Sequence, residues 1–156
     1  MAPLITVLTV TRRIEALDRC IDSVQVQVYD GPIVHQFVVD GTEEIVTHLT
    51  ERALSSRIPI RCAFMPRSSG DADGPARLAV LRNAAVHLAE SDYVAFLDDD
   101  NQWESHHLRS LWSTIVAEGV DIAHTERKLF NQDGSPYSAS EFPWGRDEVS
   151  RRAIYA

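Results

Sequence analysis

The densest concentration of chemically capable residues is Tyr93–Trp103, YVAFLDDDNQW, where an apolar run from Tyr93 to Leu97 stops at Asp98, Asp99 and Asp100, with Asn101 after them. Three adjacent carboxylates repel one another, and the repulsion is relieved by a bound cation or by hydrogen-bond donors. Hard divalent cations such as Mg2+ and Mn2+ take carboxylate oxygens and share their remaining positions with phosphate. A cation placed there would neutralise a diphosphate leaving group by Lewis-acid chemistry. The simpler use of the same residues is to cap the following helix, whose N-terminus favours acidic side chains. One aspartate would do that.

Two further sets of polar residues stand at the ends of apolar runs. Thr9, Thr11, Arg12 and Arg13 follow the first run, and Asp40 ends the second, in VVDGT. Asp40 is either a turn residue before Gly41 or a carboxylate that accepts hydrogen bonds from a base or a ribose. VVDGT is similar to the phosphatase-type DxDGT strand end, but Val38 stands at the nucleophile position and cannot attack a phosphoryl group. Arg77 and Arg82 lie beyond the Pro66–Pro75 stretch PRSSGDADGP, a loop composition suited to closing over a ligand or to a plain solvated link. Both arginines either add charge-assisted bonds to an anion or belong to a solvated helix face. His106 and His107 are adjacent on a helix and point in different directions, so they read as surface residues. His35, His48, His87 and His124 stand alone. GxGxxG, GxxxxGK[ST] and GxSxG are all missing, which leaves dinucleotide, P-loop and hydrolase readings without support.

The elements that must position these groups are legible from periodicity. Leu4–Val10, Ile33–Val39, Ile60–Met65 and Tyr93–Leu97 are short β-branched runs that predict strands. Between them lie helical patterns: Ile14, Leu17, Cys20, Ile21 and Val24; then Ile45, Val46, Leu49, Ala53 and Leu54; then Leu78, Leu81, Ala85 and Leu88 within Ala76–Ala89. Glu104–Glu118 predicts a fourth helix, with Leu108, Leu111, Trp112, Ile115 and Val116 inward, stopped by Gly119. Val120–His124 predicts another strand, and Asn131–Gly134 the turn of a hairpin. Alternating strands and helices imply an α/β fold of three layers, α/β/α, with a mostly parallel sheet. Ligands of such sheets bind beyond the carboxyl ends of the strands. Thr9, Thr11, Arg12, Arg13, Asp40 and the three aspartates should therefore share one edge.

The chain has 156 residues, 44% hydrophobic and 24% charged, which suits one soluble domain with a real core. A net charge of −8 argues against nucleic acid as a partner. Cys20 and Cys62 make neither a zinc cluster nor a disulfide framework. Pro3–Val10 is too short to span a bilayer and no other run approaches that length, so a cytoplasmic protein without a membrane segment is expected.

The Asp40 strand, the block RNAAVHLAESDYVAFLDDDNQW and the following HHLRSL helix resemble, in order and spacing, the large family 2-type inverting glycosyltransferases of GT-A fold, specifically their N-terminal nucleotide-sugar-binding half. The resemblance covers most of residues 3–135. It implies that Thr9, Thr11 and Arg12 line a nucleotide pocket and that Asp40 contacts the base. It further implies that Asp100, with Asp98, holds Mn2+ or Mg2+, and that Asp99 or Asp98 lies near the ribose or sugar. Arg77 and Arg82 would then meet the diphosphate. The implied activity is transfer of a sugar from a nucleotide-diphospho-sugar to an acceptor hydroxyl with inversion. The alternative is a donor-binding domain that lacks the general base, since that residue lies well downstream in the family, and Asp147 and Glu148 come too early for it. Residues 1–103 are expected to form the nucleotide-sugar part of a single domain and 104–156 the cut-short start of the acceptor part. The face so exposed favours self-association.

Overall fold

The computed structural model describes residues 1–68, 70, 71, 74–131 and 135–137, and the chain divides into two units, Met1–Ala123 and His124–Ala156. The first unit is built on β1 (Ile5–Thr11), β2 (Ile33–Asp40), β3 (Ile60–Met65) and β4 (Tyr93–Phe96). They form one sheet in the order β3-β2-β1-β4, and every pairing is parallel. Parallel neighbours require crossovers, here α1 (Leu17–Gln25), α2 (Glu43–Ser55) and α3 (Gly74–Leu88), with α4 (His107–Glu118) after β4.

The strand alternation decides which helix lies on which face. Ile5 and Val7 of β1 pack with Cys20 and Val24 of α1 and Leu108 of α4. Phe37 and Val39 of β2 pack with Leu17 and Ile21 of α1 and with Ile45 and Leu49 of α2. Residues of the opposite parity, Leu8 and Val38, meet Leu81 and Ala85 of α3. The sheet is thus covered by α3 on one face and by α1, α2 and α4 on the other, in three layers.

Several boundaries differ from expectation. The first strand runs one residue further, to Thr11, because its ladder continues to Val39. α3 begins at Gly74 rather than Ala76, and α4 at His107 rather than Glu104. Leu54 and Val116, expected inward, are exposed, and Leu78 and Leu88 are partly so. Gly119 ends α4 with a φ of 63°, as a C-terminal stop should. Val120–His124 forms no strand: Val120 and Ile122 are exposed, and no described strand lies beside them to take their backbone hydrogen bonds.

In the second unit Phe130 bridges Pro136 in antiparallel fashion, and the Tyr137 N–H donates to the Leu129 carbonyl at 2.8 Å. The flanks of the expected hairpin are therefore paired; its residues 132–134 lie outside the described residues, as do Trp144, Asp147 and Glu148.

Candidate functional site

Because all four strands point the same way, Thr11, Asp40 and the segment after Phe96 emerge on one edge of the sheet. Leu97 continues the β4 ladder by one bond, its N–H donating to the Leu8 carbonyl at 3.0 Å. The chain then turns, with the Asn101 N–H on the Asp98 carbonyl at 3.0 Å. The aspartates do not cap α4, which starts at His107 and has no side-chain cap. Their charge is met from elsewhere in the fold.

Asp99 is buried. Its Oδ2 lies 2.9 Å from the Thr11 hydroxyl, and its Oδ1 accepts from Arg13 Nη2 at 3.0 Å. The same Nη2 donates to Asp100 Oδ2 at 2.6 Å. On the other side, Arg82 Nη2 of α3 reaches Asp98 Oδ1 at 2.5 Å. The hydrogen bonds from Arg13 to Asp99, and then the charge of that carboxylate, push the guanidinium further above its ordinary range, so it stays a cation. Asp100 and Asp98 remain about half exposed, at 52% and 54% of their side chains.

Asp40 closes the second half of the edge. Its side chain is almost enclosed; Oδ1 accepts from Arg77 Nε and Nη2 at 3.0 and 2.9 Å, and Oδ2 from Arg67 Nη1 at 3.2 Å. Arg77 also donates to the Pro66 carbonyl and to Asp71, tying the loop before α3 to the end of β2. The turn after Asp40 depends on Gly41, which has a φ of 76° and whose N–H donates to the Met65 carbonyl. A Cβ at Gly41 would lie 2.6 Å from Arg67 Cγ.

Beneath the aspartate turn lies a buried polar chain. The Thr9 hydroxyl donates to the Leu97 carbonyl at 2.9 Å, so it accepts from His35 Nε2 at 3.0 Å. That fixes the proton of His35 on Nε2, and Nδ1 is left with no partner in a fully buried position. Burial alone pushes the His35 pKa down to about 3. Cys20 Sγ lies 3.9 Å from the Thr9 hydroxyl, and burial pushes that thiol up to about 12.

The edge thus collects Thr11, Asp40, Arg77, Arg82, Asp98, Asp99 and Asp100 from the residues expected there. Thr9 is fully enclosed and meets the site through the Leu97 carbonyl rather than on its surface. Arg12 is exposed, and its carbonyl accepts from Thr42 at 3.5 Å; its neighbour Arg13 is the one on the carboxylates. Arg13 was expected on this edge with the other strand-exit residues but given no contact, Arg67 was not singled out, and His35 was left without a role. Parity at the strand exit was the available signal for Arg13. His107, read as surface, is half-buried and stacked on Trp103 with ring centroids 4.3 Å apart.

A family model described as Glycosyl transferase family 2 matches residues 5–154, nearly the whole chain. The chain belongs to glycosyl transferase family 2. Among curated proteins it is similar to the putative teichuronic acid biosynthesis glycosyltransferase TuaG of Bacillus subtilis (strain 168), with 30% identity over 104 residues. The match covers 67% of this chain and 37% of TuaG. Among solved structures, S. aureus TarS 1-349 has the same fold, with a TM-score of 0.60 and 18% identity over 82% of this chain and 40% of that one. The complex of TarS 1-349 with UDP matches equally well, with a TM-score of 0.61 and 18% identity over 82% of this chain and 39% of that one. The family 2 chain described above therefore spans about two fifths of the length of these relatives.

Divalent metal use is common in family 2, and the residues at this edge can be asked whether they fit an ion. Among the described residues no three His, Cys, Asp or Glu side chains gather into a self-sufficient metal cage. A magnesium-like ion does not need one, since it is held by one or two carboxylates and keeps its other positions for phosphate and water. Asp100 and Asp98 meet that requirement: each is half exposed and has one oxygen outside its arginine contact. Asp99 does not, because both its oxygens are committed to Thr11 and Arg13. Among the described residues no helix is long and apolar enough to cross a membrane.

Proposed function

We infer that this family 2 chain binds a nucleotide-diphospho-sugar and serves transfer of its sugar to an acceptor hydroxyl with inversion. The observation that carries the reading is the carboxyl edge of the sheet, where Asp40 and the three aspartates are interleaved with Arg13, Arg67, Arg77 and Arg82. A nucleoside diphosphate offers both partners such an edge needs: donors on the base and ribose for carboxylates, and phosphate oxygens for arginines. UDP bound to TarS, a protein of the same fold, supports the class of donor.

In this reading Asp40, held in place by Arg77, receives the base. Asp99, fixed by Thr11, stands toward the ribose or sugar. Thr9 and His35 hold the Leu97 carbonyl, and with it the start of the aspartate turn. Arg82, together with Arg13 and Arg77, supplies positive charge for the diphosphate. Asp100 and Asp98 would hold Mn2+ or Mg2+, which when bound neutralises charge on the leaving diphosphate. The acceptor oxygen attacks the anomeric carbon opposite the diphosphate, the bond from that carbon to the diphosphate oxygen breaks, and a base takes the hydroxyl proton. The acceptor, a saccharide or small molecule, is bound outside the edge described. Self-association through β4, the last strand of the described sheet, belongs to the same reading, supported by exposed Val94 and Phe96; sedimentation as a strict monomer would remove it. So does a cytoplasmic location, where a fusion protein should be found.

Calorimetric titration with UDP, GDP and TDP, with and without Mn2+, tests the donor site. One nucleotide should bind in a metal-dependent manner, and the metal dependence should be lost in Asp100→Ala. A folded protein that binds none of them would refute the reading.

A further inference from the structure

The charges at the donor edge are already matched before any ligand arrives. One nitrogen, Arg13 Nη2, sits 3.0 Å from Asp99 Oδ1 and 2.6 Å from Asp100 Oδ2, so a single guanidinium bridges two carboxylates. Two features separate this contact from an ordinary surface pair. Asp99 is anchored, with its side chain 11% exposed and its second oxygen on the Thr11 hydroxyl, whereas Asp100 is held from one side by Arg13. Arg13 is itself 52% exposed and lies past the end of β1, outside the core, so its side chain can swing without disturbing the core.

The carboxylate that Arg13 occupies is the one expected to take the divalent ion. A divalent ion on the other oxygen of Asp100 would stand beside Arg13 Nη2, and two cations on one carboxylate repel each other strongly. When one leaves, the guanidinium is released beside the space a diphosphate would fill, and its planar fork suits phosphate oxygens.

We propose that Arg13 is the donor site's own counter-ion: it holds Asp100 in the ligand-free protein, gives it up to the divalent cation and passes to the diphosphate. This rests on the reading of the edge as a metal-assisted nucleotide-sugar site. Its consequence is opposite effects of one substitution. Removing Arg13 takes away a competitor of the metal and a partner of the nucleotide.

The test uses Arg13→Gln in the full chain, with Arg61→Gln as a variant that loses the same charge far from the edge, where Arg61 pairs with Glu90. Free Mn2+ is followed by its electron paramagnetic resonance signal in the absence of nucleotide, and UDP binding by calorimetry at saturating Mn2+. Thermal melts establish that each protein is folded. Arg13→Gln should tighten Mn2+ alone by about threefold to fivefold, the scale of one half-exposed ion pair, and weaken UDP by about tenfold, the scale of one charge-assisted contact. Arg61→Gln should change neither. Mn2+ affinity in Arg13→Gln that equals or falls below wild type, or that rises equally in Arg61→Gln, overturns the proposal. If it falls while wild type still binds UDP with Mn2+, the donor-site reading stands without the exchange. If wild type binds neither, both fall together.

Discussion

Acidification should destabilise this protein, and His35 should carry a separable part of the loss. In the native state its Nε2 proton is committed to Thr9, its ring lies against Phe37 with centroids 4.1 Å apart, and Nδ1 faces no acceptor. A second proton would add a charge and an unpaired donor to a site without solvent contact. Burial therefore pushes the pKa from 6.5 down to about 3. The unfolded chain takes up the proton that the native state refuses, so stability is complete above about pH 6.5 and is lost as pH falls toward about 3. The slope is about 1.4 kcal/mol per unit, which amounts to about 2 kcal/mol between about pH 7 and about pH 5. Urea unfolding followed by tryptophan fluorescence across that range measures it. Other groups also titrate there, so the decisive quantity is the difference from His35→Gln, whose neutral amide can still donate to Thr9. The variant should start less stable near neutrality and lose about 2 kcal/mol less on acidification. Parallel curves for the two proteins would refute the reasoning.

Three further outcomes follow from the edge itself. Asp40→Ala leaves the nearly enclosed Arg77 without its two-point partner and should cost about 3 kcal/mol in urea unfolding as well as UDP binding, an effect that a stable, binding variant would contradict. Asp100→Ala removes a half-exposed carboxylate and should stay within about 1 kcal/mol of wild-type stability by thermal melt while losing the metal-dependent part of UDP binding. Gly41→Ala forces a side chain onto a φ of 76° with its Cβ 2.6 Å from Arg67 Cγ. It should cost about 1–2 kcal/mol by calorimetric melt and weaken UDP by displacing Arg67 from Asp40.

The sheet and its helices could be read because the apolar spacing that defines them is local. Ile33–Asp40 and Glu43–Ser55 carry their period within a few residues, and Asp40, Arg77, Arg82 and the aspartates fell where parallel strands end. Val120–His124 misled because a β-branched run says nothing about whether a neighbouring strand exists to pair with it. Leu54 and Val116 misled because helical phase gives a face and not what covers that face. Pairing across the chain was illegible for a different reason. Arg13 and Asp99 are separated by 86 residues, and the choice between Arg12 and Arg13 turned on which side of the β1 exit each guanidinium leaves. His35 was illegible because its meaning lies in two partners, Thr9 and through it Leu97, brought by strands on one side of it and beyond.

The position of β1 between β2 and β4 bears on the order of assembly. β1, β2 and β3 can pair as soon as they leave the ribosome, since each crossover is local. β4 must then insert on the far side of β1, and the hydrogen bond from Thr11 to Asp99 closes a span of 88 residues. Long-range parallel pairing is the slow part of folding, because loop closure precedes any gain from contact. The aspartates can therefore meet Thr11 and Arg13 only in the last step of sheet formation. Until then the nascent chain carries an exposed row of carboxylates without their partners, and in the proposed reading nucleotide capture would report that sheet formation has finished.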